Sequence, residues 1–299
     1  MQYLGETAAL FTSFCWSLSA VGFSMAGKKF DSTTINRVRV SLAFIALLVF
    51  NQVLYGQAFP INASSDRFFW LMLSGVIGLA LGDFFLFRSY QLVGPRIGLL
   101  LLSLAPVYSA IIAWLFLGEQ LATREVIGII VTLGGIAWVV MSGSKSKIDE
   151  PTQKHSSTGI LYGCIAALGQ SIGMVLSRQG MYGQFPPFAG SLIRITAAVL
   201  FLWVVAIFQR TANKTIQSSI SDLRSTGWVS FGALFGPVIG VSASLLAIQN
   251  SNLGVASTLM ALPPVFMLPI SYFFFKERFG WQSVAGTILA IAGVGILLT

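Results

Sequence analysis

The chain has 299 residues, of which 9% are Asp, Glu, Lys or Arg and 55% are hydrophobic, and its mean hydropathy is +0.81. About a quarter of the residues of a soluble globular protein are charged, so this composition excludes a protein whose main solvent is water. The net charge of +8 does not indicate a nucleic-acid partner, because the 18 basic residues are scattered between apolar runs instead of forming one basic patch.

Ten apolar runs are long enough to cross a membrane as helices, since one pass needs about 20 residues. They alternate too little between polar and apolar residues to be strands of a membrane barrel. The first run follows Glu6 and no basic segment, so we expect a retained span rather than a cleaved signal peptide. The sequence therefore predicts an all-α integral membrane protein in a lipid bilayer, with ten transmembrane helices near residues 7–27, 34–55, 68–91, 97–117, 125–142, 158–178, 187–208, 228–248, 254–275 and 281–298.

The chain divides into two similar halves. A polar linker, residues 143–157, separates a five-helix repeat at 5–142 from a second at 158–298. A shift of 158 residues superimposes rarer or structurally demanding residues: Trp70 and Trp228, Gly78 and Gly236, Gly82 and Gly240, Gln91 and Gln249, Pro106 and Pro264, Glu119 and Glu277, Gly128 and Gly286, Gly135 and Gly293. Arg39 and Arg194 correspond at a shift of 155. Because each half has an odd number of spans, we expect two inverted repeats.

One segment in each half carries a recognisable pattern. The segments are Leu117-Gly-Glu-Gln-Leu-Ala-Thr-Arg-Glu-Val-Ile-Gly128 and Phe275-Lys-Glu-Arg-Phe-Gly-Trp-Gln-Ser-Val-Ala-Gly286, and each follows a proline that interrupts an apolar helix. With ten spans and two repeats, the chain resembles the EamA-type branch of the drug/metabolite transporter superfamily over residues 5–298. The resemblance implies a carrier with a central cavity, which moves a small polar or amphiphilic solute such as an amino acid, nucleobase or sugar, often outward. It also implies a multi-pass protein of the cell membrane that is a monomer or homodimer.

Other classes of function find little support in the sequence. There is no Walker-type motif, so we expect a secondary carrier. Cys15 and Cys164 both lie in apolar runs and His155 is the single histidine, a set that favours neither a disulfide nor a bound metal or cofactor. We expect no enzyme activity, because no nucleophile or paired-acid arrangement lies at membrane depth. The alternatives are an intramembrane enzyme acting on a lipid and a receptor or assembly subunit that does not transport.

Depth selects the charged residues that matter, because an ionisable side chain near the bilayer centre is costly. At about 1.5 Å per residue, Asp83 lies roughly 6 Å, Arg194 roughly 5 Å and Arg39 roughly 7 Å from the middle of their spans. One hypothesis places Asp83 and Arg194 in the cavity, the first as a proton-coupling or cation-binding carboxylate, the second as an anchor for a carboxylate on the solute. The alternative is an internal ion pair between them that locks one conformation.

Uncharged residues add to this candidate site. We expect Gln170 to line the cavity, because a solute can satisfy its amide as readily as another helix. Trp16 and Tyr108 could stack on a planar solute, although aromatic residues in spans more often serve packing. Pro106 and Pro264 each remove a backbone hydrogen bond within a helix, so they are candidate pivots or fixed kinks.

Two signals disagree about orientation. The predicted connections after odd-numbered spans hold most of the basic residues, which places them in the cytoplasm and both termini outside. The resemblance more usually implies that both termini are inside.

Glu119 and Glu277 lie at turns near the membrane surface, where we expect them to cap helices.

Overall fold

The computed structural model describes residues 3–142, 157–275 and 280–298. These ranges are helical and contain no strand. Two π-helical segments, Gly75–Gly82 and Leu234–Gly240, each join two successive α-helices. The predicted linker lies outside the described residues, except for Ser157. The α-helices are α1 (Leu4–Ala26), α2 (Ser32–Tyr55), α3 (Ser65–Ser74), α4 (Asp83–Leu102), α5 (Ala105–Leu117), α6 (Thr123–Ser142), α7 (Ser157–Gly180), α8 (Pro187–Phe208), α9 (Ala212–Ser221), α10 (Leu223–Ala233), α11 (Val241–Asn250), α12 (Leu253–Met260), α13 (Pro263–Phe275) and α14 (Trp281–Leu298).

Ten helical stretches in the described ranges are long and apolar enough to cross a membrane, and they confirm the predicted ten spans. They are Leu4–Ala26, Ser32–Tyr55, Ser65–Ser89, Leu100–Leu117, Thr123–Ser142, Ser157–Gly180, Pro187–Phe208, Leu223–Asn250, Leu253–Ile270 and Trp281–Leu298. Their outer surface carries large apolar side chains, among them Phe116 and Phe208, which are 76% and 84% exposed. A continuous apolar surface of this kind is unfavourable in water and suits contact with lipid.

The two halves interlock instead of lying side by side. Helix α1 packs on α10, α11 and the π segment between them, while α7 packs on α3, α4 and their π segment. The first span of each half therefore contacts the third span of the other half. Helices α6 and α14, the last of each half, pack against each other.

Glycines make the contact between α6 and α14 possible. A Cβ on Gly135 would collide with the backbone of Ala290, and a Cβ on Gly286 would lie 2.9 Å from the backbone nitrogen of Val139. The neighbouring Gly134 faces open space. In a membrane, where lipid removes the hydrophobic drive between helices, such close backbone approach supplies the packing energy. The repeated glycines at these positions are thus explained by one helix contact.

The two π segments occupy equivalent places in the halves, because the shift of 158 residues places Gly82 on Gly240. A Cβ on Gly78 would lie 3.3 Å from the Cα of Gly173 in α7, so the first segment sits directly against that helix. In the second segment, Gly236 packs in the same way against Ser19 of α1. Departures from α-helical geometry of this type are frequent at functional sites.

Asp31 fixes the connection between α1 and α2. Its Oδ1 accepts a hydrogen bond of 2.7 Å from the backbone N–H of Thr34, which caps α2. Lys214 Nζ lies 3.8 Å from the other carboxylate oxygen. Partial burial acts to raise the pKa of Asp31, but the Thr34 hydrogen bonds and the charges of Lys214 and Arg37 outweigh it and hold the pKa below its ordinary value.

Candidate functional site

A cavity of about 280 Å³ lies between the two halves. Its walls come from α1, α2, α4, α5, α7, α8, α11, α12 and α13 and from both π segments. Phe23, near the end of α1, and Arg39, near the start of α2, line it, so it extends from the middle of the bundle toward the α1–α2 connection. Seven of the residues singled out from the sequence line this cavity: Trp16, Arg39, Asp83, Pro106, Gln170, Arg194 and Pro264.

Asp83 is held by two partners in the cavity wall. It is only 6% exposed, and one carboxylate oxygen forms an ion pair with Arg39. Gln170 Nε2 donates a hydrogen bond of 3.2 Å to the other oxygen. Asp83 is the first residue of α4, directly after the π segment, so the geometry of that segment sets the direction in which the carboxylate points. Both oxygens of Asp83 are thereby occupied.

Arg39 is itself fixed in place. Its Nε donates a hydrogen bond of 2.9 Å to Asn36 Oδ1, one helical turn earlier in α2. The rings of Phe23 and Phe87 lie 5.6 Å and 5.7 Å from its guanidinium carbon, within the range of cation–π attraction. The sequence hypothesis of an ion pair in the cavity considered Arg194 as the cation, whereas the structure pairs Asp83 with Arg39.

Arg194 lines the same cavity without such a partner. It is 5% exposed, and its Nε is buried with no hydrogen-bond partner in the described part of the chain. Glycines of the first π segment make room for it: Gly75 packs on its backbone, and a Cβ on Gly78 would lie 3.6 Å from its Nη2. The cavity therefore presents one neutralised arginine and one buried arginine that is not neutralised by direct contact.

Pro106 and Pro264 follow breaks in equivalent spans. The break at Ser103–Leu104 separates α4 from α5, and the break at residues 261–262 separates α12 from α13. Each proline is the second residue of the helix that follows, a position where its missing N–H costs nothing. The breaks thus lie in the cavity wall, at the same place in each half.

Two serines that the sequence analysis did not select hold the carbonyls next to these breaks. Ser171 Oγ of α7 donates a hydrogen bond of 2.8 Å to the carbonyl of Ala105. In the other half, Ser17 Oγ of α1 donates one of 3.3 Å to the carbonyl of Pro263. The first span of each half therefore donates to the first carbonyl of the helix that follows the break in the other half, and this contact links the halves at the breaks. The repeat shift from Ala105 to Pro263 was the signal that could have revealed them.

The aromatic candidates differ in position. Trp16 lines the cavity, and the ring fits because the facing residue is Gly240, where a Cβ would lie 2.7 Å from ring atoms. Tyr108 is half-buried on α5 and is not among the residues that line the cavity.

The repeated glutamines can be compared only in part. The side chain of Gln91 lies outside the described part of the structure, whereas Gln249 donates hydrogen bonds of 2.8 Å and 3.0 Å to the carbonyls of Met181 and Phe185.

A polar network joins the halves at the end of the bundle opposite to the α1–α2 connection. Glu119 Oε2 accepts a hydrogen bond of 2.7 Å from the N–H of Leu253, and its Oε1 lies 3.5 Å from Arg178 Nη2. Arg178 donates a hydrogen bond of 2.8 Å to the carbonyl of Ser251, whose hydroxyl donates one of 2.9 Å to Glu6. Glu119 thus caps α12 of the other half, while Glu277 lies outside the described residues.

Along α1, Glu6 and the cavity end at Phe23 lie about 25 Å apart at the usual helical rise. The near end of the cavity is closer, because its lining residues Met174 and Ser257 lie one helical turn from Arg178 and Leu253, respectively. We call Glu6, Glu119, Arg178, Ser251 and Leu253 the interhalf network. The bundle is consequently tied across one end, and the cavity extends from below this network toward the other end.

The fold and sequence have known relatives. The chain is 22% identical over 97% of its length to an uncharacterized transporter of Archaeoglobus fulgidus, 96% of which is covered. It is 21% identical over 97% of its length to the human solute carrier family 35 member G1, 77% of which is covered. A protein crystal structure with 15% identity superimposes with a TM-score of 0.78, covering 99% of this chain and 96% of that one. The model of the EamA-like transporter family matches residues 3–141 and 157–299, and the chain therefore belongs to that family of membrane transporters.

Proposed function

We propose that the protein is a secondary carrier that moves a small polar or amphiphilic metabolite across the cell membrane by alternating access. The observation that carries this proposal is the cavity of about 280 Å³ between the halves, with two arginines and one aspartate in its wall. A cavity of this size is close to the range of small-molecule sites, and charges at membrane depth are retained where they face a substrate path.

The distribution of contacts along the bundle supports alternating access. The interhalf network closes one end with hydrogen bonds and one ion pair, in which the side chains of Arg178 and Glu119 are 29% and 13% exposed. Water can replace these polar partners when this end opens. The breaks before Pro106 and Pro264 and the two π segments give each half the same points at which a span can bend. We infer that the network opens while the helices close around Phe23 and Arg39. The cavity would then be open to the side of the membrane on which the network lies.

Transport fits the chemistry of the cavity better than catalysis on a lipid. The charged side chains among its described lining residues are Arg39, Asp83 and Arg194. The one carboxylate has both oxygens engaged, by Arg39 and by Gln170, so it is poorly placed to act as a general base.

Solute flux through purified protein in sealed proteoliposomes tests this function. A panel of labelled amino acids, nucleobases, sugars and organic acids is offered with and without a proton gradient, and lipid turnover is followed in parallel. We expect saturable uptake of at least one class, reduced at least tenfold in Asp83→Asn and unchanged in Arg124→Gln, an exposed arginine outside the cavity. Lipid turnover without flux of any solute would contradict the carrier function and support the enzyme.

A further inference from the structure

Two arginines and one aspartate line the cavity, so one positive charge is left over when the aspartate is paired with one of the arginines. Arg39 and Asp83 neutralise each other, and the second oxygen of Asp83 is taken by Gln170. Arg194 forms no ion pair with any residue in the described ranges, and its Nε lacks a hydrogen-bond partner there. A guanidinium does not lose its proton in a protein, and the single carboxylate of the lining is already paired with Arg39, so the two arginines and one aspartate favour the entry of an anion.

The geometry of the free donor restricts what can balance it. The guanidinium is a planar fork whose parallel N–H groups match the two oxygens of a carboxylate. The described ranges give none of the guanidinium nitrogens a hydrogen-bond partner; Nε is buried, so the Nη groups are the donors that a solute in the cavity can reach. A carboxylate bound by the Nη groups would supply the missing charge.

The rest of the wall restricts the body of the ligand. Around the charged residues the cavity is lined mainly by apolar side chains, including those of Trp16, Leu79, Met174 and Met260. These surfaces favour an apolar or aromatic body, and methionine adapts its shape to different ones. An ammonium group would enter a lining with two arginines and one aspartate and would compete with Arg39 for Asp83, which disfavours a zwitterion or a cation.

We propose, on the basis of the carrier function proposed above, that the solute is an organic monoanion: a carboxylate on an apolar or aromatic body, bound through its carboxylate by Arg194. The Arg39–Asp83–Gln170 group is then a neutral wall that leaves a single anion site. A dianion would bring a second negative charge for which the wall offers no free partner.

Ligand binding to the purified full-length protein tests this proposal separately from flux. Probes share one body and differ in charge: phenylacetate, its amide, phenethylamine and phenylalanine, with the matching benzoate and indole-acetate sets. Thermal stability in detergent reports binding, because a ligand that binds only the folded state raises it. We expect at least one carboxylate to stabilise the wild type more than its amide, amine or amino-acid counterpart.

Variants decide whether Arg194 is responsible. We expect affinity for the carboxylate to fall about 10- to 100-fold in Arg194→Gln. Arg194→Lys keeps the charge but loses the fork, so it should bind with intermediate affinity, and Arg124→Gln should bind like the wild type. The melting temperature without ligand shows that each variant is folded.

Three results would overturn the proposal: no carboxylate stabilises more than its amide, the amine or zwitterion stabilises more, or carboxylate affinity is equal in folded Arg194→Gln. Failure of the carrier function would look different. In that case the carboxylates bind and depend on Arg194, but proteoliposomes show no flux of them. Flux of a zwitterion without carboxylate binding would refute the monoanion and leave the carrier function intact.

Discussion

Substitution of Arg39 alone should lower the stability of the protein far more than substitution of Arg39 and Asp83 together. In Arg39→Gln the buried carboxylate keeps Gln170 but loses its cation, and loss of one member of a buried pair costs about 3–5 kcal/mol. The side chains are 13% and 8% exposed and border a cavity that water can enter, so we take the lower limit, about 3 kcal/mol. In the double variant with Asp83→Asn, two neutral amides can bond to each other, and we expect a loss of about 1 kcal/mol.

The assay is a double-mutant cycle on apparent melting temperature in detergent. With a loss of about 2–4 °C per kcal/mol for a chain of this size, Arg39→Gln should melt about 6–12 °C below the wild type, and the double variant only about 2–4 °C below it. Arg124→Gln removes an exposed arginine and controls for net charge. Additive single effects, with the double variant less stable than either single variant, would refute the ion pair as the structural core of the cavity.

Three further outcomes follow from the contacts. Gly135→Ala should lower the melting temperature by several degrees because its methyl group meets backbone of α14, whereas Gly134→Ala, which faces open space, should not lower it. Asp31→Ala should cost about 1 kcal/mol at pH 7 through loss of the α2 cap. Because the folded pKa of Asp31 lies below its unfolded value, this contribution is present above the unfolded pKa and is lost as pH falls through the folded pKa, so the melting temperatures of wild type and variant should converge as pH falls through that range. Glu119→Gln should weaken the interhalf network and raise solvent exchange at the N–H of Leu253, measured by hydrogen exchange; unchanged exchange would contradict the capping role.

The architecture could be predicted because each helix that crosses a membrane needs a long apolar run, which is visible directly in the sequence. Apolar runs of sufficient length gave all ten spans, and the repeat of Gly135 and Gly293 pointed to positions where helices touch. Pro106 and Pro264 marked the breaks, since proline lacks the N–H that would continue the hydrogen bonding of a preceding helix and is tolerated in the first turn of a new one. Helix α9 was missed because it is a short polar helix outside the spans.

Pairing inside the cavity could not be predicted in the same way. Depth placed Asp83 and Arg194 nearest the bilayer centre, but depth does not determine which side of a helix a residue faces. Asp83 directly follows a π segment, whose residues per turn differ from those of an α-helix, so α-helical periodicity does not predict the side on which the carboxylate meets Arg39. For the same reason the break ahead of α5 decides which of its residues line the cavity, and Tyr108 is not one of them.

Access to the cavity from the two sides of the membrane tests the central claim most directly. Ser103, at the break before α5, lines the cavity, and Ser103→Cys can be introduced after Cys15 and Cys164 have been replaced by Ala. Gly134→Cys, exposed on the outer surface of α6, serves as a control that should not react in either case. Alternating access predicts that a membrane-impermeant maleimide labels Ser103→Cys in both right-side-out and inside-out vesicles. Labelling from one side only, under every gradient and with every solute tested, would contradict it.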